Sequence, residues 1–295
     1  MRMGHRMRDM RLAEPARLLC VFAHPDDEQW GTAGALLACV ERGIEVHLLT
    51  ATSGDAGEIS DPALATRETL AAVREEELRT ACRMLGLQPP ILLRHPDGKL
   101  SEIDGAFLAG QIAAAIRRLR PRVVLTFDAN GGYGHPDHLA IHHATLRAAD
   151  LAADHAAGGL PPHRIDKLYA TAYPRSRFAT IEADMTAAGL PPVDFGAVQT
   201  LAKEEIGTPD EAITTAVPVE RYFARRWEAL LAHRTQYGPD NPFVAVGEEA
   251  ARRWLRTDTF RRLRPAPGAA LPDEEHLWAG LPWPDRVGAP AVGRR

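Results

Sequence analysis

The sequence predicts an α/β fold with a mainly parallel sheet flanked by helices. Short apolar runs alternate with longer stretches that carry apolar residues at helical spacing. Strands that alternate with helices in this way are joined by right-handed crossovers, which makes neighbouring strands parallel. Two motifs rich in histidine and aspartate directly follow two of the predicted strands. Ligands bind at those strand ends in such sheets, so the motifs indicate a site.

The first half of the chain has regular element signals. Strands are predicted over 18–23, 44–50, 91–93 and 123–127, and helices over about 28–42, 66–85 and 104–119, with a further helix that begins at 135–136. The run LLCVFA is typical of a strand buried on both faces. Gly43 and Gly86 each follow a helical pattern, and glycine commonly ends helices. Pro136 suits a first helical turn, where its missing N–H would be unbonded.

Beyond residue 150 the signals are weaker. They predict strands over 167–173 and 213–218 and an amphipathic helix over 220–233. Proline and glycine are dense from residue 264 onward, which predicts a partly ordered tail. We therefore expect a single α/β domain over residues 15–285, with additional C-terminal elements around the site. Residues 1–14 and 286–295 are predicted to be flexible termini.

Composition excludes several classes of protein. A net charge of -4 and a pI near 6.3 give no field that would attract nucleic acid. We interpret the local run of Arg261, Arg262 and Arg264 as a solvated face. The three cysteines are far apart and form no CxxC spacing, which argues against a disulfide framework and a thiolate metal site.

The sequence also predicts where the protein works. No stretch approaches the roughly 18 apolar residues that a membrane-spanning helix requires. The basic first ten residues are not followed by an apolar segment, unlike a signal peptide. We expect a cytoplasmic protein with a small-molecule substrate and no nucleic-acid partner. The sequence leaves open whether the chain forms a homo-oligomer.

The first motif, AHPDDE, occupies residues 23–28, after the first predicted strand. Aspartate is a common helix N-cap, which would explain one of the two carboxylates. It does not explain two adjacent carboxylates beside His24. Adjacent side chains point in different directions, so one can bind a metal while the other handles a proton.

The second motif, GGYGHPDH, occupies residues 131–138, after the fourth predicted strand. His135 and His138 are three residues apart and would share one face of a helix start. Two histidines and one aspartate with an open position suit a catalytic zinc ion. Ferrous iron uses a similar triad, so this pattern alone leaves the metal open.

The two motifs resemble the signatures of the PIG-L/LmbE-like N-deacetylases. These are Rossmann-like zinc hydrolases that act on N-acetylglucosamine-type groups, and they include amidases of low-molecular-weight thiol pathways. The resemblance covers about residues 17–153 and is strongest in GGYGHPDH. Arg74, Glu77 and the segment HRTQ at 233–236 add to it, whereas the rest of the C-terminal half matches only loosely.

The resemblance implies a role for each motif residue. The metal ligands would be His24, Asp27 and His138, and Asp26 would be the general base. We assign no catalytic role to the HRTQ segment.

Further roles follow from the same resemblance. His135 would face the substrate carbonyl with Tyr133 beside it, and Asp137 would orient His135. Arg74 would contact sugar hydroxyls or a phosphate on the substrate. Either Asp26 or His135 would protonate the departing amine, and the sequence does not separate these routes.

We therefore expect a zinc-dependent hydrolase that removes an N-acetyl or similar acyl group from an amino-sugar conjugate. One alternative is an amidase that cleaves a larger acyl group from a thiol-sugar conjugate. Another is a metal-dependent phosphoesterase, although two-metal sites usually need more ligands than these motifs supply.

Overall fold

The described strands form one seven-stranded sheet. A computed structural model describes residues 16–155, 159–191, 193, 196, 199–202, 205–265 and 274–284. The strands are β1 (Arg17–Phe22), β2 (Glu45–Thr52), β3 (Ile91–His95), β4 (Val123–Thr126), β5 (Lys167–Thr171), β6 (Thr215–Pro218) and β7 (Thr257–Arg264). Their order across the sheet is β3-β2-β1-β4-β5-β7-β6. The first five are parallel, and β7 runs antiparallel to both of its neighbours. The predicted mainly parallel sheet is confirmed.

The sheet reverses its direction of growth between β1 and β4. The chain passes from β1 outward through β2 to β3, and it then returns to place β4 on the other side of β1. The crevice at such a switch point is where open α/β sheets bind ligands. The AHPDDE motif follows β1 and the GGYGHPDH motif follows β4, so the two motifs leave the sheet on either side of this point.

Helices cover the sheet, and five of them form two groups. They are α1 (Ala33–Glu41), α2 (Leu70–Leu85), α3 (Gly105–Leu119), α4 (Gly131–Gly134), α5 (Pro136–Ala153), α6 (Arg175–Ala187), α7 (Phe223–Leu231), α8 (Pro242–Ala245) and α9 (Glu248–Trp254). Helices α3 and α5 pack against each other and against β1, whereas α1, α2 and α7 form the other group. The residues of β1 from Leu18 to Phe22 are fully buried, as the apolar run predicted.

Two predicted elements differ from the structure. The helix predicted over 28–42 begins only at Ala33, because Gly31 has a φ angle of 70°. Positive φ angles interrupt a right-handed helix. The interpretation of 261–264 as a solvated face is wrong for Arg262, which is 3% exposed within β7. Its guanidinium binds Glu274, a residue in the stretch that the sequence predicts to be only partly ordered.

The domain limits of 15–285 stay a prediction, although the described residues within them share one sheet. The predicted flexible termini, 1–14 and 286–295, lie outside the described residues. Within the part of the chain that the structure describes, no helix is long and apolar enough to cross a membrane.

Candidate active site

The loop after β1 is held by its own carboxylates. Asp27 Oδ2 accepts hydrogen bonds from the backbone N–H groups of Ala23 and His24, at 3.2 and 2.6 Å. The backbone N–H of Asp26 donates to Glu28 Oε2 at 3.0 Å. Asp26 has a φ of 116°, a conformation that costs a non-glycine residue about 1–3 kcal/mol. The loop therefore directs the carboxylates of Asp26 and Asp27 differently, and the backbone of Asp26 is strained in this conformation.

The three residues predicted as metal ligands converge. His138 Nε2 lies 3.2 Å from His24 Nδ1 and 3.3 Å from Asp27 Oδ1. The Asp27 carboxylate lies 3.5 Å from His24 Nδ1 through its other oxygen. Ligands at 2.0–2.2 Å from a tetrahedral zinc ion are about 3.3 Å apart from one another. The distances from His138 Nε2 to His24 Nδ1 and to Asp27 Oδ1 match this spacing, whereas Asp27 approaches His24 through Oδ2.

The hydrogen bonds of the two rings support a cation between them. His138 Nδ1 lies 3.1 Å from the carbonyl oxygen of Gly131, to which it donates. His24 Nε2 faces the carboxylates of Asp97 and Asp137, to which it donates. Each ring therefore directs its remaining nitrogen toward the other ring, and that nitrogen can bind a metal ion when the ring is neutral. Burial would lower the pKa of His24, but the carboxylates of Asp137, Asp27 and Asp97 outweigh it and raise the pKa, so a positive charge is favoured at this position.

His135 is a further neighbour of this group. Ligand nitrogens of His24, His135 and His138 lie within 4.8 Å of one another. His135 is the N-cap of α5, and its Nδ1 accepts the N–H of Asp137 at 3.1 Å. Its proton is therefore on Nε2, and the ring is neutral. Burial and the neighbouring histidines lower the pKa of His135 to about 4, which agrees with a neutral ring.

Asp137 contacts a different histidine from the one predicted. Its carboxylate lies 3.3 Å from His24 Nε2 and accepts the backbone N–H groups of Gly98 and Leu100 at 2.8 and 2.9 Å. The prediction that this carboxylate orients His135 is wrong, because only the backbone N–H of Asp137 contacts that ring. The physical reason is that Pro136 and Asp137 begin α5, so the side chain points away from the N-cap residue, toward His24.

Asp97 is a site residue that the sequence analysis missed. Its Oδ1 lies 3.0 Å from His24 Nε2, and its Oδ2 accepts the N–H of Ala56 at 3.0 Å. Burial would raise its pKa, but the bond with His24 outweighs this and lowers the pKa to about 2. The signal was present, because HPDG follows β3 at the sheet edge where the two recognised motifs lie.

Tyr133 lies beside both histidines of its motif. Its ring meets that of His135 edge-on at 5.9 Å and that of His138 at 5.5 Å, measured between centroids. Burial raises the pKa of its hydroxyl well above the usual range, so the group stays protonated. Tyr133 lies in α4, where Gly132 has a φ of 74° that kinks the short helix.

Asp26 and Arg74 form a pair. Arg74 Nη2 donates to Asp26 Oδ2 at 3.2 Å and to the carbonyl oxygen of Pro25 at 2.6 Å, while Nη1 donates to the carbonyl of Gly54 at 2.9 Å. Burial raises the pKa of Asp26 to about 6, although Arg74 opposes the increase. The residue Arg74 is 3% exposed. The prediction that it contacts substrate is therefore not supported, because its guanidinium is used to hold Asp26.

Two glycines make room for Arg74. A Cβ atom on Gly54 would lie 2.4 Å from the guanidinium, and one on Gly57 would lie 2.3 Å from Nη1. Gly54 also has a φ of 69°, which favours glycine. The segment SGDAG after β2 therefore packs around Arg74.

The HRTQ segment makes buried contacts with residues next to the site. His233 Nε2 lies 2.6 Å from Glu28 Oε1, and Thr235 donates through its backbone and side chain to Glu77 at 2.8 and 2.6 Å. All of these contacts are made by buried residues. Neither His233 nor Thr235 belongs to the group of converging donor atoms.

Comparisons with known proteins agree with this geometry. The family model described as "PIG-L: GlcNAc-PI de-N-acetylase" matches residues 19–149. The chain is 34% identical to a 1D-myo-inositol 2-acetamido-2-deoxy-alpha-D-glucopyranoside deacetylase of Streptomyces griseus, over 94% of this chain and 92% of that protein. It is 35% identical to the deacetylase of the same name from Acidothermus cellulolyticus, over 94% and 98%.

A solved structure shares the fold. A conserved protein of Thermus thermophilus superposes with a TM-score of 0.60 at 25% identity, over 86% of this chain and 97% of that one. The predicted fold and the predicted reaction class are both confirmed. The chain belongs to the PIG-L family and is a hydrolase of amide bonds.

Proposed function

We propose that this chain is a zinc-dependent N-deacetylase of an N-acetylglucosamine–inositol conjugate. The observation that carries the proposal is that His24 Nδ1 and Asp27 Oδ1 lie 3.2 and 3.3 Å from His138 Nε2. Two neutral imidazoles and one carboxylate leave the ion with net positive charge. Zinc supplies Lewis acidity in such a site, which activates water and polarises a carbonyl group. Ferrous iron fits the same ligands, and metal analysis distinguishes the two.

Asp26 is the proposed general base. Its carboxylate is next to a ligand in sequence but hydrogen-bonds to Arg74 instead of joining the donor group. It accepts the proton of the attacking water as the C–O bond forms. A positioned base of this kind typically contributes about 10²–10⁴ in rate.

His135 and Tyr133 are the proposed donors to the carbonyl oxygen. The N–H of His135 is on Nε2, because Nδ1 is occupied by the backbone of Asp137. A neutral ring with this tautomer donates a hydrogen bond but is a poor acid. We therefore assign protonation of the departing amine to Asp26, which gives back the proton it accepted from water.

The substrate assignment comes from the relatives. The two deacetylases reported above act, by name, on an N-acetylglucosamine joined to inositol, and each aligns with nearly the whole chain. This supports a conjugate of that kind as the substrate here. Cleavage of a larger acyl group uses the same chemistry and is the alternative outcome of the test.

The test combines metal analysis with amine release. Purified protein should contain one zinc or ferrous ion per chain and should release amine from 1D-myo-inositol 2-acetamido-2-deoxy-alpha-D-glucopyranoside. Free N-acetylglucosamine and a conjugate with a longer acyl group are the comparison substrates. The inositol conjugate should give the highest kcat/KM.

Two results would contradict the proposal. Preference for the longer acyl group would make the chain an amidase of larger conjugates. Absence of amine release from every substrate, with metal bound, would remove the deacetylase assignment for this chain.

A further inference from the structure

A buried connection links the HRTQ segment to the proposed base. The side chains of Glu28 and His233 are both fully buried, and His233 Nε2 donates to Glu28 Oε1 across 2.6 Å. The other oxygen of Glu28 accepts the backbone N–H of Asp26 at 3.0 Å. Glu28 Oε1 therefore accepts from His233 and from the side-chain amide of Gln29, and Oε2 accepts from the main chain of Asp26.

The backbone conformation of Asp26 requires hydrogen bonds of this kind. Its φ of 116° is one that residues other than glycine rarely adopt, so the conformation must be enforced by contacts. Arg74 holds the side chain of Asp26, whereas Glu28 holds its N–H group. Rotation at this φ would move the Asp26 carboxylate away from the position in which Arg74 holds it.

His233 is itself rigidly placed. It follows α7, and its backbone N–H donates to the carbonyl of Leu230. Its own carbonyl accepts the N–H groups of Gln236 and Tyr237, both at 2.9 Å. The imidazole therefore approaches Glu28 from a closed turn, and its position does not depend on the loop that it supports.

We propose that His233 is a positioning residue for the reaction, which acts through Glu28 to keep Asp26 in its left-handed conformation. The role rests on the proposed function, since it assumes that Asp26 is the base. His233 is fully buried, and its imidazole contacts Glu28 and not the converging donor atoms, so we place its effect at Asp26.

The test compares three substitutions of His233. His233→Gln keeps an N–H donor at nearly the position of Nε2, whereas His233→Asn is too short to reach Glu28 and His233→Leu has no donor. We expect kcat to fall about ten- to a hundredfold in the Asn and Leu variants, the effect of displacing a reacting group by about 1 Å. KM and the metal content should stay unchanged, and the Gln variant should recover most of the activity.

Thr235→Val is the matched control. Thr235 is as buried as His233 and lies in the same segment, but its hydroxyl donates to Glu77, which has no bond to Asp26. The control should lower the melting temperature and leave kcat unchanged. The Asn variant keeps the test informative if the Leu variant does not fold.

A double substitution separates positioning from general damage. In an Asp26→Ala background, His233→Asn should cause no further loss of the residual kcat, because the base that it positions is already absent. The proposal is overturned if the Asn variant keeps full kcat, if the same loss recurs without Asp26, or if the Gln variant is as impaired as the Asn variant. If Asp26→Ala alone keeps full activity, the proposed function fails instead, and this outcome is distinct from the others.

Discussion

The two halves of the chain contribute to the site in different ways. Between residues 17 and 153, the proposed reacting groups lie in the loop that follows β1 or in α4 and the start of α5, which follow β4. After residue 167, the contribution comes from single side chains such as His233, which is 205 positions from its partner Glu28. The reacting groups are therefore encoded in short motifs, whereas their positions depend on long-range contacts. Substitutions in the two halves should have different effects.

The largest effect is expected at a metal ligand. His138→Ala removes one of three donors, so the chain should lose its metal and at least about a thousandfold in activity, since a bound metal supplies several kcal/mol of transition-state stabilisation. Metal content per chain and kcat measure this.

His142→Ala is the control for that loss. His142 lies one turn further along α5 and is also buried, but its Nδ1 binds the carbonyl of Phe127 at 2.8 Å. It should keep its metal. Equal metal loss in both variants would contradict the ligand assignment.

The next effect separates the base from the ligands. Asp26→Asn should keep the metal and lower kcat by about 10²–10⁴, because an amide cannot accept the proton. The measurement is kcat together with metal content in the same preparation. Loss of the metal would instead make Asp26 a ligand, despite its bond with Arg74.

A smaller effect is expected at Asp97, which contacts the proposed ligand His24 and is not a proposed ligand itself. Asp97→Asn weakens the acceptor for His24 Nε2, and changes of this kind typically cost about 10–100-fold in metal affinity or activity. Competition with a chelator measures the affinity. Asp55→Asn is the control, since Asp55 accepts only the backbone N–H of Asp97. Equal affinities of the two variants would exclude a role for the Asp97 carboxylate.

A few-fold effect is expected where the backbone makes room for Arg74. Gly54→Ala places a methyl group 2.4 Å from the guanidinium and should displace it from Asp26, which lowers kcat. Gly189→Ala is matched in strain, with a φ of 71° against 69°, but its methyl group meets nothing within 4 Å. Both variants should lose about 1–2 kcal/mol of stability from the left-handed backbone. If both also lose kcat equally, the effect is strain and not displacement of Arg74.

The sequence was sufficient to predict the site residues that lie within the two short motifs. AHPDDE and GGYGHPDH identified the strand ends, and the alternation of strands and helices predicted that these ends would meet at one edge of the sheet. The donor atoms of His24, Asp27 and His138 do converge there.

The sequence was insufficient where a role depends on a distant partner. Asp97 is one aspartate in a short loop, and only the fold brings it to His24. Arg74 looked like a substrate contact because its burial depends on the loop around Gly54. Strand β7 was not predicted, because its arginines suggested a solvated face. The sequence does not show that Glu274 compensates the charge of Arg262.

The smallest effect on activity is expected at this last pair, in the second half of the chain. Glu274 is buried and accepts hydrogen bonds from Lys167 and Tyr169, both at 2.6 Å, as well as from Arg262. Glu274→Gln leaves Lys167 and Arg262 without their counter-charge, which should cost on the order of 3 kcal/mol of unfolding free energy. Because the cluster lies apart from the proposed reacting groups, kcat at neutral pH should stay unchanged.

The pH dependence of this loss has a defined sign. Burial would raise the pKa of Glu274, but Lys167 and Tyr169 outweigh it and the pKa is lowered. A lowered carboxyl pKa stabilises the fold above the pKa of the unfolded chain, and that stability disappears as the pH falls through the folded value. The difference in unfolding free energy between wild type and Glu274→Gln should therefore be largest near neutral pH and shrink in acid. Glu275→Gln, at the exposed next position, should show no such difference. A loss of kcat in Glu274→Gln at full stability would show that the second half of the chain does more than support the site.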